Sequence, residues 1–113
     1  PLMPYFVVQL PTLTVTTSGA PATSPALKDV GECFGMTIFS PSTYTSTAMS
    51  LQVEPSSSGT SFVTLQSGGS DVDLTANRAT VISPVPFKQM RIQASSSENV
   101  PLSFSITQVI HTG

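Results

Sequence analysis

Few residues in this chain could do chemistry, and their types and spacing argue against most of it. His111 is the single histidine and stands at the very end of the 113-residue sequence. A general base needs an orienting partner on a rigid support. A tail histidine has neither, so His111 reads as a solvated tail residue. Serines are plentiful, yet no G-x-S-x-G elbow occurs, and no Ser–His–Asp set can be assembled around that one imidazole. Cys33 is the single cysteine, which excludes an intrachain disulfide. At the head of the apolar run CFGMTIF it reads as a buried free thiol. One Cys and one His cannot close a zinc tetrahedron. No enzyme activity, metal or cofactor is expected.

Two further stretches are candidates for ligand binding. In SGGSDVDLT, Asp71 and Asp73 share a face if the segment is a strand, and the glycines before them allow a tight loop. Two carboxylates with loop carbonyls could hold calcium, but calcium loops offer more acidic or amide ligands at staggered spacing. A polar strand edge, guarded by like charges, is the better reading. Tyr44, in the turn SPSTYTS, is one of only two tyrosines in a chain without tryptophan. A sugar platform normally needs several exposed aromatics beside amides and carboxylates. Tyr44 is therefore either a lone contact residue or a tip that caps the fold.

The elements that would position these residues are strands. Ten prolines and seven glycines leave no window for a multi-turn amphipathic helix. Alternation recurs instead in TLTVT, in CFGMTIF (Phe34, Met36 and Ile38 on one face) and in MSLQVE (Met49, Leu51 and Val53 on one face). FVTLQ, VDLT, RATVI, MRIQA and LSFSI (Leu102, Phe104 and Ile106 inward) continue it. Short strands separated by Gly, Pro and Ser clusters mark a sandwich or barrel. One-sided alternation favours two packed antiparallel sheets. The expected fold is all-β: a single antiparallel β-sandwich of jelly-roll type with about eight strands, or nine with the N-terminal run.

Composition narrows the partners. Only 9% of the residues are charged, against about 25% in an ordinary domain. Ser and Thr fill 33 of the 113 positions. Lys28, Arg78, Lys88 and Arg91 are dispersed and the net charge is −2. This gives no electrostatic footprint for nucleic acid or an anionic membrane. No run approaches the length of a spanning helix, and the opening PLMPYFVVQLP lacks the basic region of a secretory signal. A start at Pro1 is what removal of an initiator Met would leave. A surface so poor in charge suits either a hydroxyl-coated monomer or a protein covered by neighbouring subunits.

The opening run is the strongest candidate for a partner contact. Leu2, Met3, Tyr5, Phe6, Val7, Val8 and Leu10 crowd the first ten residues, and the stretch from Tyr5 to Val8 is apolar on both faces. Residues 1–11 read as an apolar N-terminal arm or first strand, and 12–113 as the sandwich. An arm of this kind can add to a sheet edge or groove of a neighbour, where backbone hydrogen bonds supply affinity and alternate side chains fill pockets.

The order of blocks also resembles a known group. LTVTTSG…ATSPALK is followed by SLQVEPSSSGTSFVTLQ, a polar GGSDVDLT hairpin, RATVISPVPFKQMRIQASSS and a final VPLSFSIT. From about Thr12 to Thr107 this layout is similar to small β-sandwich virion proteins of tailed bacteriophages. It departs from them in having PSSSG where a single Asp or Asn before Gly is commoner. The resemblance implies a cement or decoration protein on the outer surface of an icosahedral capsid, made in the host cytoplasm. Its partners would be the major capsid protein and neighbouring copies of itself. A receptor- or glycan-binding module of a tail or fibre is the alternative.

Overall fold

Alternating apolar residues build two antiparallel sheets, and no helix occurs among the described residues of the computed structural model, which are 5–16, 22–31, 33–58 and 61–111. The strands are β1 (Tyr5–Gln9), β2 (Leu13–Val15), β3 (Ala22–Thr23), β4 (Leu27–Lys28), β5 (Gly35–Phe39) and β6 (Met49–Glu54). They continue as β7 (Val63–Thr64), β8 (Gln66–Ser67), β9 (Ser70–Asp71), β10 (Ala79–Ile82), β11 (Gln89–Ala94) and β12 (Leu102–His111).

The first sheet runs β1-β12-β5-β10, with β2 also on β12. The second runs β3-β11-β6-β7, with β4 also on β11. Along the chain β1 and β2 join the first sheet, β3 and β4 the second, β5 the first, and β6 and β7 the second. β10 then joins the first, β11 the second and β12 the first, while β8 and β9 form a separate small hairpin. Gly68 and Gly69 turn that hairpin at φ 63° and 85°, a region that favours glycine.

Among the described residues twelve strands stand where eight or nine were expected. β3 and β4 form in a stretch where none was expected, and FVTLQ is divided at Leu65 into β7 and β8. VDLT, expected as a strand, makes only the isolated bridge of Asp73 to Ser50, with β9 just before it. β1 and β2 occupy one side of β12 in succession, Val7 opposite Val109 and Leu13 opposite Phe104, and are parted at Pro11, which has no N–H to give a ladder. β3 and β4 likewise share one side of β11 around Pro25. Ser24 bridges that gap. Its N–H donates to the Ile92 carbonyl at 2.8 Å, and its Oγ accepts from the Ile92 N–H at 2.9 Å.

One core lies between the sheets. Leu13, Val15, Met36, Ile38, Phe104 and Ile106 come from the first, and Met49, Leu51, Val53, Met90, Ile92 and Ala94 from the second; all are buried. The expected inward faces of the 49–53 and 102–106 runs are the buried ones. Phe34 shares the face of Met36 and Ile38, yet it sits at the exposed end of the sheet.

Backbone also packs on backbone where Gly31 meets the 85–88 segment. A Cβ at Gly31 would stand 2.6 Å from the Phe87 carbonyl oxygen, and Val30 N–H donates to the Lys88 carbonyl alongside. Gly31→Ala is therefore expected to lower stability by about 1–3 kcal/mol through forced separation of the two segments. An unchanged urea midpoint would show that the contact yields freely.

Candidate functional site

The residues that carry chemistry do not converge. Among the described residues there is no group of three His, Cys, Asp or Glu side chains that could hold a metal ion. Asp71 accepts a hydrogen bond from Gln66 Nε2 at 2.9 Å across the β8–β9 hairpin, and Asp71 and Asp73 are both exposed. Cys33 is half-buried, and its thiol donates to the Val30 carbonyl at 3.3 Å. Burial pushes that thiol's pKa up, hydrogen bonding notwithstanding, so it is a poor nucleophile. His111 is not a tail residue: its backbone ends β12, opposite Tyr5, while its side chain lies outside the described residues.

Tyr44 is no exposed platform. It is half-buried against the core, its ring centroid 6.0 Å from that of Phe104. Its hydroxyl and that of Ser40 are both buried, and neither completes a hydrogen bond of standard geometry. Burial raises the phenol's pKa; the nearby Ser40 hydroxyl lowers it and the Glu98 charge raises it further. Tyr44 and Asp73 do line one depression, of about 180 Å3. Ligand pockets usually start near 300 Å3. The capping role fits this geometry.

The loop that carries Tyr44 is fastened by Glu98. This buried carboxylate accepts from Thr45 N–H at 2.7 Å and Ser46 N–H at 2.8 Å, and Ser46 Oγ donates to the Ser96 carbonyl at 2.8 Å. Burial alone would raise the carboxyl's pKa. The hydrogen bonds from Ser46 and Thr45 outweigh it and hold the pKa below the ordinary value.

The apolar opening run behaves differently. Tyr5–Gln9 lies along β12, Phe6 opposite Ile110 and Val8 opposite Gln108, as the outermost strand of the first sheet. Phe6, Val7 and Val8 are exposed, Val7 at 71%. Phe6 and Val8 share the inward face with Gln108, while Val7 faces outward with Val109. Leu10 instead packs against the core and donates its N–H to the Ile106 carbonyl at 2.8 Å, which anchors the strand. The side chain of Tyr5 and all of Leu2 and Met3 lie outside the described residues.

Two features gave little sign in the sequence. On the outer face of the second sheet, Gln52, Glu54 and Gln89 are buried. Gln89 Nε2 donates to the Ser56 carbonyl of the covering 55–58 turn, Arg91 Nε donates to Gln52 Oε1 at 2.7 Å, and the Arg91 guanidinium stacks 4.4 Å from the Phe62 ring centroid. The other is a groove of about 260 Å3 between β10 and the β8–β9 hairpin, walled by Leu65, Val72, Ile82, Pro84 and Pro86.

The fold and these surfaces define an antiparallel all-β sandwich whose notable exposed feature is an apolar sheet edge. Comparison with protein-family models, with curated proteins and with solved structures finds no match to the chain.

Proposed function

We propose that this protein is a structural virion component that decorates an icosahedral phage capsid and stabilises it by binding the assembled shell. The observation that carries the reading is the uncharged edge strand β1, which leaves Phe6, Val7 and Val8 in contact with solvent. Apolar side chains on an open edge are a liability for a free monomer and an asset for a protein that docks. The strand order fits a jelly-roll, with the chain passing back and forth between the β1-β12-β5-β10 and β3-β11-β6-β7 sheets. That architecture is common in capsid and lectin domains. Its partners would be the major capsid protein and adjacent copies, on the outer surface of the virion. A binder of the assembled shell shifts the equilibrium toward that shell, and repetition over many sites strengthens weak contacts.

Removing residues 1–9 while keeping Leu10 tests this. The truncated protein should fold, because β12 retains β5, and should lose at least tenfold in binding to purified capsids. Full occupancy by the truncated protein would overturn the role of the edge. Gel densitometry of particles supplies the wider test, since near-stoichiometric abundance with the major shell protein favours cement and a few copies favours a tail module.

A further inference from the structure

Among the described residues the first sheet has two open edges, and they are complementary. β1 ends it on one side and β10 on the other. Neighbouring strands in the path are antiparallel, so β1 and β10 run in opposite directions. A second copy set beside the first, continuing the sheet, therefore brings its β1 antiparallel to β10.

The backbone groups meet as well. Leu10 N–H bonds to Ile106 of β12, so antiparallel alternation turns the amides of Phe6 and Val8 toward β12 and those of Val7 and Gln9 toward the open side. Ser40 N–H bonds to the Arg78 carbonyl, which by the same alternation turns Thr80 and Ile82 toward β5 and leaves Ala79 and Val81 facing outward. With Val7 opposite Val81 and Gln9 opposite Ala79, both pairs can exchange N–H···O bonds. That register puts Phe6 opposite Ile82 and Val8 opposite Thr80, all on the inward face. The groove beside Ile82 opens there, walled by Leu65, Val72 and Pro84.

We propose that β1 of one copy adds antiparallel to the open edge of β10 in a second copy, its Phe6 and Val8 filling the groove between β10 and the β8–β9 hairpin. Charge permits it: neither Tyr5–Gln9 nor Ala79–Ile82 contains an ionisable acid or base of the guarding kind, whereas β4 carries Lys28 and β9 carries Asp71. The contact is heterologous, because donor and acceptor are different edges, so it propagates from copy to copy. One strand edge and one groove form a small contact beside the roughly 1,200 Å2 of a stable solution complex. Isolated copies should therefore be monomeric when dilute and should associate when concentrated or held side by side. The contact goes beyond the capsid reading and does not depend on it.

Cysteine trapping in a Cys33→Ser background tests the register. Val7 and Val81 are 71% and 68% exposed, so Val7→Cys and Val81→Cys should both fold. Mixed at millimolar concentration under mild oxidation, the two single variants should form a disulfide dimer at least tenfold faster than Val7→Cys mixed with Val63→Cys, a control at an equally open site. The double variant Val7→Cys/Val81→Cys should give a ladder of dimers, trimers and longer species. Equal rates for the test and control mixtures would mean random collision and overturn the proposal. So would dimerisation of Val7→Cys alone at the rate of the mixture, which would place β1 against β1. Loss of capsid binding by the truncated protein without any trapping here would separate the shell contact from this one.

Discussion

Phe104→Ala is expected to lower the unfolding free energy by about 3–5 kcal/mol, from lost transfer energy and the cavity left behind. Phe104 is fully buried near the start of β12's inward face, between Leu102 and Ile106. Its ring also backs Tyr44, whose loop closes that end of the sandwich. The cavity would therefore open beside the half-buried Tyr44 ring. Against a total stability of about 5–15 kcal/mol, such a loss brings the domain near unfolding at ambient temperature. Urea denaturation of wild type and variant measures it. A loss under about 1 kcal/mol would mean that the site relaxes far more than a close-packed interior should.

Glu98→Ala is the second large effect, expected at about 2–4 kcal/mol because Thr45 and Ser46 N–H groups lose a charged acceptor and Ser46 stays buried. The pH dependence has a definite sign. The folded-state pKa of Glu98 lies below its ordinary value, so its contribution is present at neutral pH and is lost as pH falls through that depressed value. Wild type should lose more stability on acidification below about pH 4 than Glu98→Gln does, given an ordinary glutamate value near 4.3. Parallel pH profiles for the two proteins would refute the clamp. Hydrogen exchange at Thr45 and Ser46 would report its release directly.

Much of this fold is legible from alternation alone. Met49, Leu51 and Val53, and again Leu102, Phe104 and Ile106, repeat with period two, and a one-residue slip would have turned every one of them to water. The C-terminal extension of β12 through Thr107–His111 was less legible, because its partner Tyr5–Gln9 lies at the other end of the chain. The two-residue strands β3 and β4 are too short to show a period, and hydrogen bonds at Ser24 rather than apolar pattern hold that segment to β11. Gln52 and Glu54 fall on the outward face by alternation, and Gln89 joins them there in register, but the chain after β6 folds over all three. The turn around Tyr44 allows either a contact residue or a capping tip, and nothing local signals that Phe104 lies beneath it. The groove at β10 joins residues near 65–72 with others near 80–86, and apolar content in either segment alone is unremarkable for a strand.

The pairing of Tyr5 with His111 has a mechanical corollary. The first and last described residues, Tyr5 and His111, stand opposite each other on adjacent antiparallel strands. Tension applied between those two residues would part the β1–β12 hydrogen bonds one after another, like a seam opening, rather than load them all in shear. The domain should yield at low force when pulled from this pair, even where heat and denaturant find it stable. The same adjacency would let a piece cut at Tyr5 and His111 be inserted as a cassette into a surface loop of another protein, since host residues on either side need be only a strand spacing apart, about 5 Å.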